Sequence, residues 1–156
     1  LRTSCLLARH RDRAPQPQQG GGRDQRRGEW CTFRLPILAQ HWAAGVTPLL
    51  DRSALLKAEA IRTCGSFSHT PCGAPFSRTF QQAGYGLASI GENLAWATGG
   101  LAAPQSIVNA WLASPAHRAN LLSGRWRDAG VAVINAPSFA GQRNVRIWVL
   151  EFGSRR

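Results

Sequence analysis

The chain has no methionine, one tyrosine, one lysine and only 8 acidic residues in 156. No stretch approaches 18 uninterrupted apolar residues, which excludes a membrane-spanning helix in this sequence. Charged residues are also scarce at 17%, while apolar ones reach 44%, enough for a core and too many for a wholly disordered chain. The length suits one ordinary domain and is short for two. Arginine is in excess: Lys57 is the single lysine among 19 basic residues, and the formal net charge is +11. Such a charge attracts phosphate and acidic surfaces. The chain opens at Leu1, so a mature product or a fragment is expected, with any signal peptide not there to be read.

The first third is written differently from the rest. Residues 1–34 carry a Gly20-Gly21-Gly22 run, a proline- and glutamine-rich stretch from Pro15 to Gln19, and almost no apolar periodicity. A segment of this kind buries too little surface to offset its ordering entropy. The expectation is a basic, low-complexity, disordered arm, either a linker or the product of a reading error upstream, followed by one domain over 35–156. Within that domain, residues 49–61 read as a helix with Asp51 or Ser53 as N-cap. Pro71, Gly73 and Pro75 enforce a loop, and a short apolar stretch over 91–98 ends at Gly99-Gly100. Pro104 suits the first turn of a helix with Ile107, Ala110, Trp111 and Ser114 on one face. Ser114-Pro115 reads as an N-cap and N1 pair that restarts a short helix through Leu122. Two alternating strands, 130–135 and 144–152, flank turn residues 136–141 and predict an antiparallel hairpin. Helices around a small antiparallel sheet make the fold class α+β.

Three segments place ionisable groups in apolar, glycine-punctuated surroundings. The first holds Cys64, His69 and Cys72, the second Gly91-Glu92-Asn93, the third Ser114, His117 and Asn120. Taken singly, each has a structural explanation: a satisfied histidine, a carboxylate accepting backbone N–H groups at a turn, a helix cap. His117 near a helix N-terminus gains nothing from the dipole when protonated and tends to stay neutral, the form that binds metals or accepts protons.

Taken in order, these segments resemble the CAP superfamily of cysteine-rich secretory, antigen 5 and pathogenesis-related proteins, most closely its single-domain bacterial, extracellular SCP-like branch. The carriers are Gly45, Pro48 and Leu49; Phe67-Ser68-His69; Gly84-Tyr85; Gly91-Glu92-Asn93-Leu94-Ala95; the run from Ala110 through Trp111, Ser114 and His117 to Leu121; Gly130-Val131; and Trp148, Val149 and Phe152. The resemblance implies an α–β–α sandwich, with three or four antiparallel strands between helices and an open cleft. It implies a cleft lined by His69, Glu92, Asn93, Ser114 and His117. It implies His69 and His117 as the metal ligands, for zinc or another divalent ion that the domain does not require. The family's second glutamate falls on Ser114, so one carboxylate is missing. The family's Asn-x-x-Arg helix pattern is absent from residues 38–45, where Leu38 and Trp42 can still pack one helix face.

The chemistry open to these groups is bounded. Two imidazoles are fewer than the three protein ligands usual in a catalytic zinc site. No histidine pair has the i, i+4 spacing of a zincin helix, and no nucleophile elbow supports a serine triad. A Cys64–Cys72 bridge would stiffen the loop that carries His69 and imply an oxidising compartment; the competing reading is a zinc cluster of Cys64, His69 and Cys72, for which no fourth ligand is nearby. Cys5 and Cys31 are left unassigned.

Three functions follow. The first is a secreted domain, extracellular or in the cell envelope, whose cleft binds a lipid, glycan or peptide, with Trp96, Trp111 and Trp126 as apolar surface against a core role for Trp111 and Trp148. The second is a weak hydrolase of peptide or cell-wall material, assisted by a metal or by Glu92 and His117, the candidate catalytic residues. The third is an anionic-surface binder using Arg125, Arg127, Arg143 and Arg146; no specific nucleic acid is expected, since no recognised motif is present.

Overall fold

In the computed structural model, which describes residues 45–86 and 88–154, a two-residue strand β1 (Gly45–Val46) leads directly into helix α1 (Pro48–Cys64). Thr47 is its N-cap, accepting a hydrogen bond from the Leu49 N–H, and Pro48 fills a first-turn position where no N–H is needed. The cap therefore lies ahead of the expected Asp51 or Ser53. Asp51 instead accepts from the Val131 backbone N–H at 3.0 Å, pinning the first turn to the sheet. The helix stops at Gly65, which takes the left-handed conformation of a C-cap.

A short helix α2 (Arg78–Gln82), not foreseen from the sequence, precedes β2 (Ser89–Thr98). Helices α3 (Pro104–Ala113) and α4 (Pro115–Leu121) meet at Ser114, and β3 (Asp128–Phe139) and β4 (Gln142–Ser154) form the expected hairpin. The hairpin is longer than expected: residues 136–139 stay in β3, and the turn contracts to Ala140 and Gly141, both at positive φ. That two-residue geometry matches the twist of the strands it joins.

The sheet order is β1-β3-β4-β2. Three strands pair antiparallel as expected, while the fourth, β1, pairs parallel to β3. Parity along β4 splits the core. Val145, Ile147 and Val149 pack under α1 with Ala54, Ala58 and Ile61. Trp148, Leu150 and Phe152 pack on the other face with Ile107, Val108 and Trp111 of α3. Both faces of the sheet are covered, and the result is the α–β–α sandwich of an α+β domain.

The tightest joint is at Gly130, where an added Cβ would lie 2.2 Å from the backbone of Leu50 and Asp51. Gly130→Ala therefore has to push α1 off the sheet. A loss of about 1–3 kcal/mol in urea unfolding is expected, the usual cost of overpacking. Residues 1–34, the Leu38 and Trp42 face, and Cys5 and Cys31 lie outside the described residues.

Candidate functional site

Because β2 is an edge strand of the sheet among the described residues, its neighbours on the two faces flank that edge. Glu92 lies on the α1 side of β2, and its side chain is completely buried. It is held from two directions. His69 Nδ1 lies 2.7 Å from Glu92 Oε1, and Lys57 Nζ of α1 faces Glu92 Oε2 at 3.3 Å as an ion pair. Lys57 also donates to the His69 backbone carbonyl at 2.6 Å and sits 5.0 Å from the Phe76 ring centroid. One lysine thus fixes both the acid and the loop that brings the histidine to it.

That loop is closed by a Cys64–Cys72 disulfide, with Cα atoms 5.5 Å apart. The bridge ties the end of α1 to a 3₁₀ turn (Pro71–Gly73) and decides between the two cysteine readings in favour of a disulfide. His69 is left with more than half of its side chain in solvent, edge-on to Phe76. The Glu92 carboxylate fixes the ring through Nδ1 and leaves Nε2 for the outside.

On the other face, α4 supplies His117. Ser114, the N-cap residue, makes no cap hydrogen bond; its hydroxyl lies 2.9 Å from His117 Nδ1 and orients that ring instead. Asn93, next to Glu92 and fully buried, donates to the His117 carbonyl at 3.0 Å. Asn120 donates to Asn93 Oδ1 at 3.0 Å and accepts through its own carbonyl from Trp126 Nε1. Asn93 and Asn120 thus clamp α4 against β2, and Asn93 positions the site from inside rather than facing it. Gly91 completes the clamp, because an added Cβ would come within 2.7 Å of the Trp126 ring. Partial burial, and then the charge of nearby His69, hold the His117 pKa below its ordinary value, so this imidazole is neutral at pH 7.

Beneath Glu92 lies a second carboxylate. Glu151 of β4 is directly opposite Glu92 in the sheet register and fully buried. Thr79 of α2 donates to its Oε1 at 3.3 Å, and Ser53 of α1 stands beside it without completing a well-formed hydrogen bond. Desolvation is the main cause that pushes the Glu151 pKa up to about 8. Next in size is the neighbouring Ser53, which opposes it; the Glu92 charge adds to it, and Lys57 and Thr79 oppose it more weakly. Glu151 is therefore protonated at neutral pH, and the cluster holds one lysine for one ionised acid.

The structure joins His69 to Glu92 directly, and sets His117, held by Ser114 and Asn93, within electrostatic reach of His69. Trp111 and Trp148 are core residues, Trp111 donating to the Leu94 carbonyl. Trp126 is also buried, stacked on Phe152 beneath the Arg125 guanidinium, while Trp96 is partly exposed. The four arginines expected as one patch divide. Arg125 and Arg127 precede β3 at one end of the hairpin, and Arg143 and Arg146 lie toward its turn, about 30 Å away along the strands. Among the described residues no three His, Cys, Asp or Glu side chains gather as a metal-holding group. The donor set is two imidazoles, one short of the three protein ligands usual in a catalytic zinc site, and it does not fit such a centre.

Lys57, Glu151 and Thr79 were missed from sequence, and two of them carried a signal. Lys57 is the single lysine in an arginine-rich chain. Glu151 continues the inward parity of Val145, Ile147 and Val149, where an acid breaks an otherwise apolar face.

The sequence model of CAP, the cysteine-rich secretory protein family, matches residues 43–152. Among solved structures, an outer surface protein from Borrelia burgdorferi superposes with a TM-score of 0.70 at 19% identity, over 88% of this chain and 100% of that one. An extracellular protein containing an SCP domain from Bacillus anthracis gives 0.67 at 19% identity, over 84% of this chain and 41% of that one. A cysteine-rich secretory protein from Staphylococcus aureus gives 0.62 at 13% identity, over 83% and 39%. At these identities the likeness is one of fold. No curated protein matches the chain in sequence.

Proposed function

The chain belongs to the cysteine-rich secretory protein (CAP) family, and from that premise we propose that it is an extracytoplasmic binding domain of bacterial type whose His69 and His117 imidazoles hold the polar group of an organic ligand (a lipid, glycan or peptide). The observation that carries this reading is the state of Glu92. Its side chain has no accessible surface, and both oxygens face protein cations or donors, Lys57 and His69. An acid so enclosed orients an imidazole but does not take a proton from a bound water. What the site offers outward is a carboxylate-oriented ring at His69 and a neutral ring at His117, beside the half-buried Phe76. The Cys64–Cys72 disulfide and the surface or extracellular descriptions of the structural neighbours support a location outside the cytoplasm.

The hydrolase reading keeps one supporting observation, the 2.7 Å contact between Glu92 and His69, since an imidazole backed by a carboxylate is also a competent general base. Titration of a fluorescent fatty acid, a chitin-type oligosaccharide and an acidic peptide, near neutral pH, separates the two. One of the three is expected to bind without turnover and to weaken about tenfold or more in His69→Ala and in His117→Ala, about 1.4 kcal/mol per decade. Turnover of a peptide or cell-wall substrate that disappears in Glu92→Gln and His117→Ala would establish the hydrolase instead. If none of the probes binds or reacts, the imidazole site does not serve these ligand classes.

A further inference from the structure

The loop that presents His69 has a covalent clasp that solvent can reach. Cys64, the last residue of α1, is partly buried, while Cys72 in the 3₁₀ turn is exposed. An exposed bridge is open to attack by a thiolate, and bridges of that kind are the labile, regulatory ones. Cys72 also holds an unusual backbone conformation. Its φ of 59° and ψ of 19° lie in the left-handed region, which residues other than glycine rarely enter and then at a cost. Gly73 follows at φ 69°. Two left-handed residues in succession set the direction in which the chain leaves the loop, and only the glycine takes that conformation freely. The bond to Cys64 restrains the other.

The remaining ties of the loop are few. The Thr70 N–H donates to Ser68 Oγ and the Gly73 N–H to the Thr70 carbonyl, both internal contacts. Outward, the Ser66 N–H donates to the Ile61 carbonyl, and His69 is held by Lys57 at its carbonyl and by Glu92 at its ring. None of residues 65–73 belongs to the hydrophobic clusters of the described residues. Opening the bridge therefore leaves the sandwich intact and frees the loop alone. Glu92 keeps Lys57 as its counter-ion in that state, so no buried charge is stranded. His117 lies within electrostatic reach of His69, so a displaced His69 ring alters both imidazoles of the site.

We propose that the Cys64–Cys72 disulfide is a redox switch of the imidazole site, closed by oxidation and opened by a dithiol reductant outside the cytoplasm. The proposal rests on the reading of His69 as a ligand-holding group. In the opening step a thiolate of the reductant attacks Cys72 Sγ and forms a mixed disulfide. The Cys64–Cys72 bond breaks, and Cys64 leaves as a thiolate that takes up a proton. The second thiolate of the reductant then attacks its partner sulfur in the mixed disulfide and releases Cys72, likewise protonated. Two electrons pass to the bridge, and the reductant, having given up its two thiol protons, ends as a disulfide. Freed of the bond, Cys72 relaxes out of the left-handed region, the turn rearranges and His69 leaves Glu92.

The test is reduction of the full folded chain with millimolar dithiothreitol, read by alkylation and mass, by imidazole and indole ¹H–¹⁵N NMR, and by titration with the fatty acid, oligosaccharide and peptide probes. Cys64 and Cys72 are expected to become alkylated while the indole signals of Trp111, Trp126 and Trp148 stay in place. The His69 ring signals are expected to move, and to take the same positions in Cys64→Ser with Cys72→Ser. Whichever probe binds the oxidised protein is expected to weaken about tenfold or more, and reoxidation to restore both readouts. Cys5→Ser with Cys31→Ser is expected to keep the whole response, which assigns it to this bridge. A bridge that resists the dithiol in the folded protein, or His69 signals that stay in place, would overturn the proposal. Collapse of the indole signals would overturn it as well, because the bridge would then be a purely structural one. So would an affinity unchanged by reduction yet lost in His69→Ala. If no probe binds either form while the His69 signals move and recover, redox control of the loop stands and the ligand reading alone falls.

Discussion

Lys57→Met is expected to unfold at markedly lower urea than the wild type, with a stability loss of about 3–5 kcal/mol, the cost of removing one partner of a buried ion pair. Lys57 is 1% exposed and Glu92 is 4% exposed, so solvent screening does little to reduce the effect. The substitution leaves the Glu92 carboxylate with His69 alone and deprives the His69 carbonyl of its 2.6 Å donor. Against the 5–15 kcal/mol of a typical domain, a loss of this size removes a large part of the total stability. Lys57→Met with Glu92→Gln is expected to recover part of it, since the double variant has no uncompensated charge; it also keeps the test readable if the single variant does not fold. Lys57→Arg is expected to destabilise as well, because a planar guanidinium needs more room than this enclosed slot provides. A Lys57→Met loss below about 1 kcal/mol would mean that the pair is not the keystone of the site.

The same residue shows where sequence reading stopped. The helices, the hairpin and the order of the three polar segments were legible because each is a local signal: a proline at a first turn, alternation of period two, a glycine before an acid. His69, Glu92 and His117 were legible through the family resemblance. Their arrangement was not, since it depends on β2 being an edge strand of the described sheet and on helices from two faces meeting around it. Ser114 reads as a helix cap from its neighbour Pro115, yet its hydroxyl is spent on the His117 ring. Asn93 reads as a cleft residue from its motif, yet strand parity turns it away from Glu92 and under α4. Lys57 falls in a helix whose local text is unremarkable, and only its uniqueness among arginines marks it. Glu151 needed the strand register, which is a non-local fact.

Glu151 should make the protein lose stability as the pH rises toward 8, a slope that Glu151→Gln is expected to flatten. The sign follows from linkage. In the unfolded chain this carboxyl titrates near 4.5, and in the folded protein burial raises it to about 8. Between those values the folded protein holds a proton that the unfolded chain has released, so rising pH favours unfolding. The stabilisation is complete below 4.5 and has been lost by about 8, a change on the order of 4 kcal/mol across the window. His117 acts in the opposite sense: its lowered pKa supports stability above 6.5 that is lost as the pH falls through its folded value. The difference between wild type and Glu151→Gln removes that contribution, which both chains share. Glutamine keeps the shape of the protonated acid and its acceptor for the Thr79 hydroxyl, so the two proteins are expected to converge in stability near pH 4.5 and to separate steadily above it. Parallel curves in urea unfolding from pH 4.5 to 8, or a Glu151 carboxyl ¹³C signal that titrates like a free glutamate, would show that Glu151 is ionised in the folded protein. The physical reason for the expected slope is the count of charges in the chamber: Lys57 neutralises Glu92 and is within electrostatic reach of Glu151. A second ionised carboxylate directly opposite the first would have no cation left to balance it.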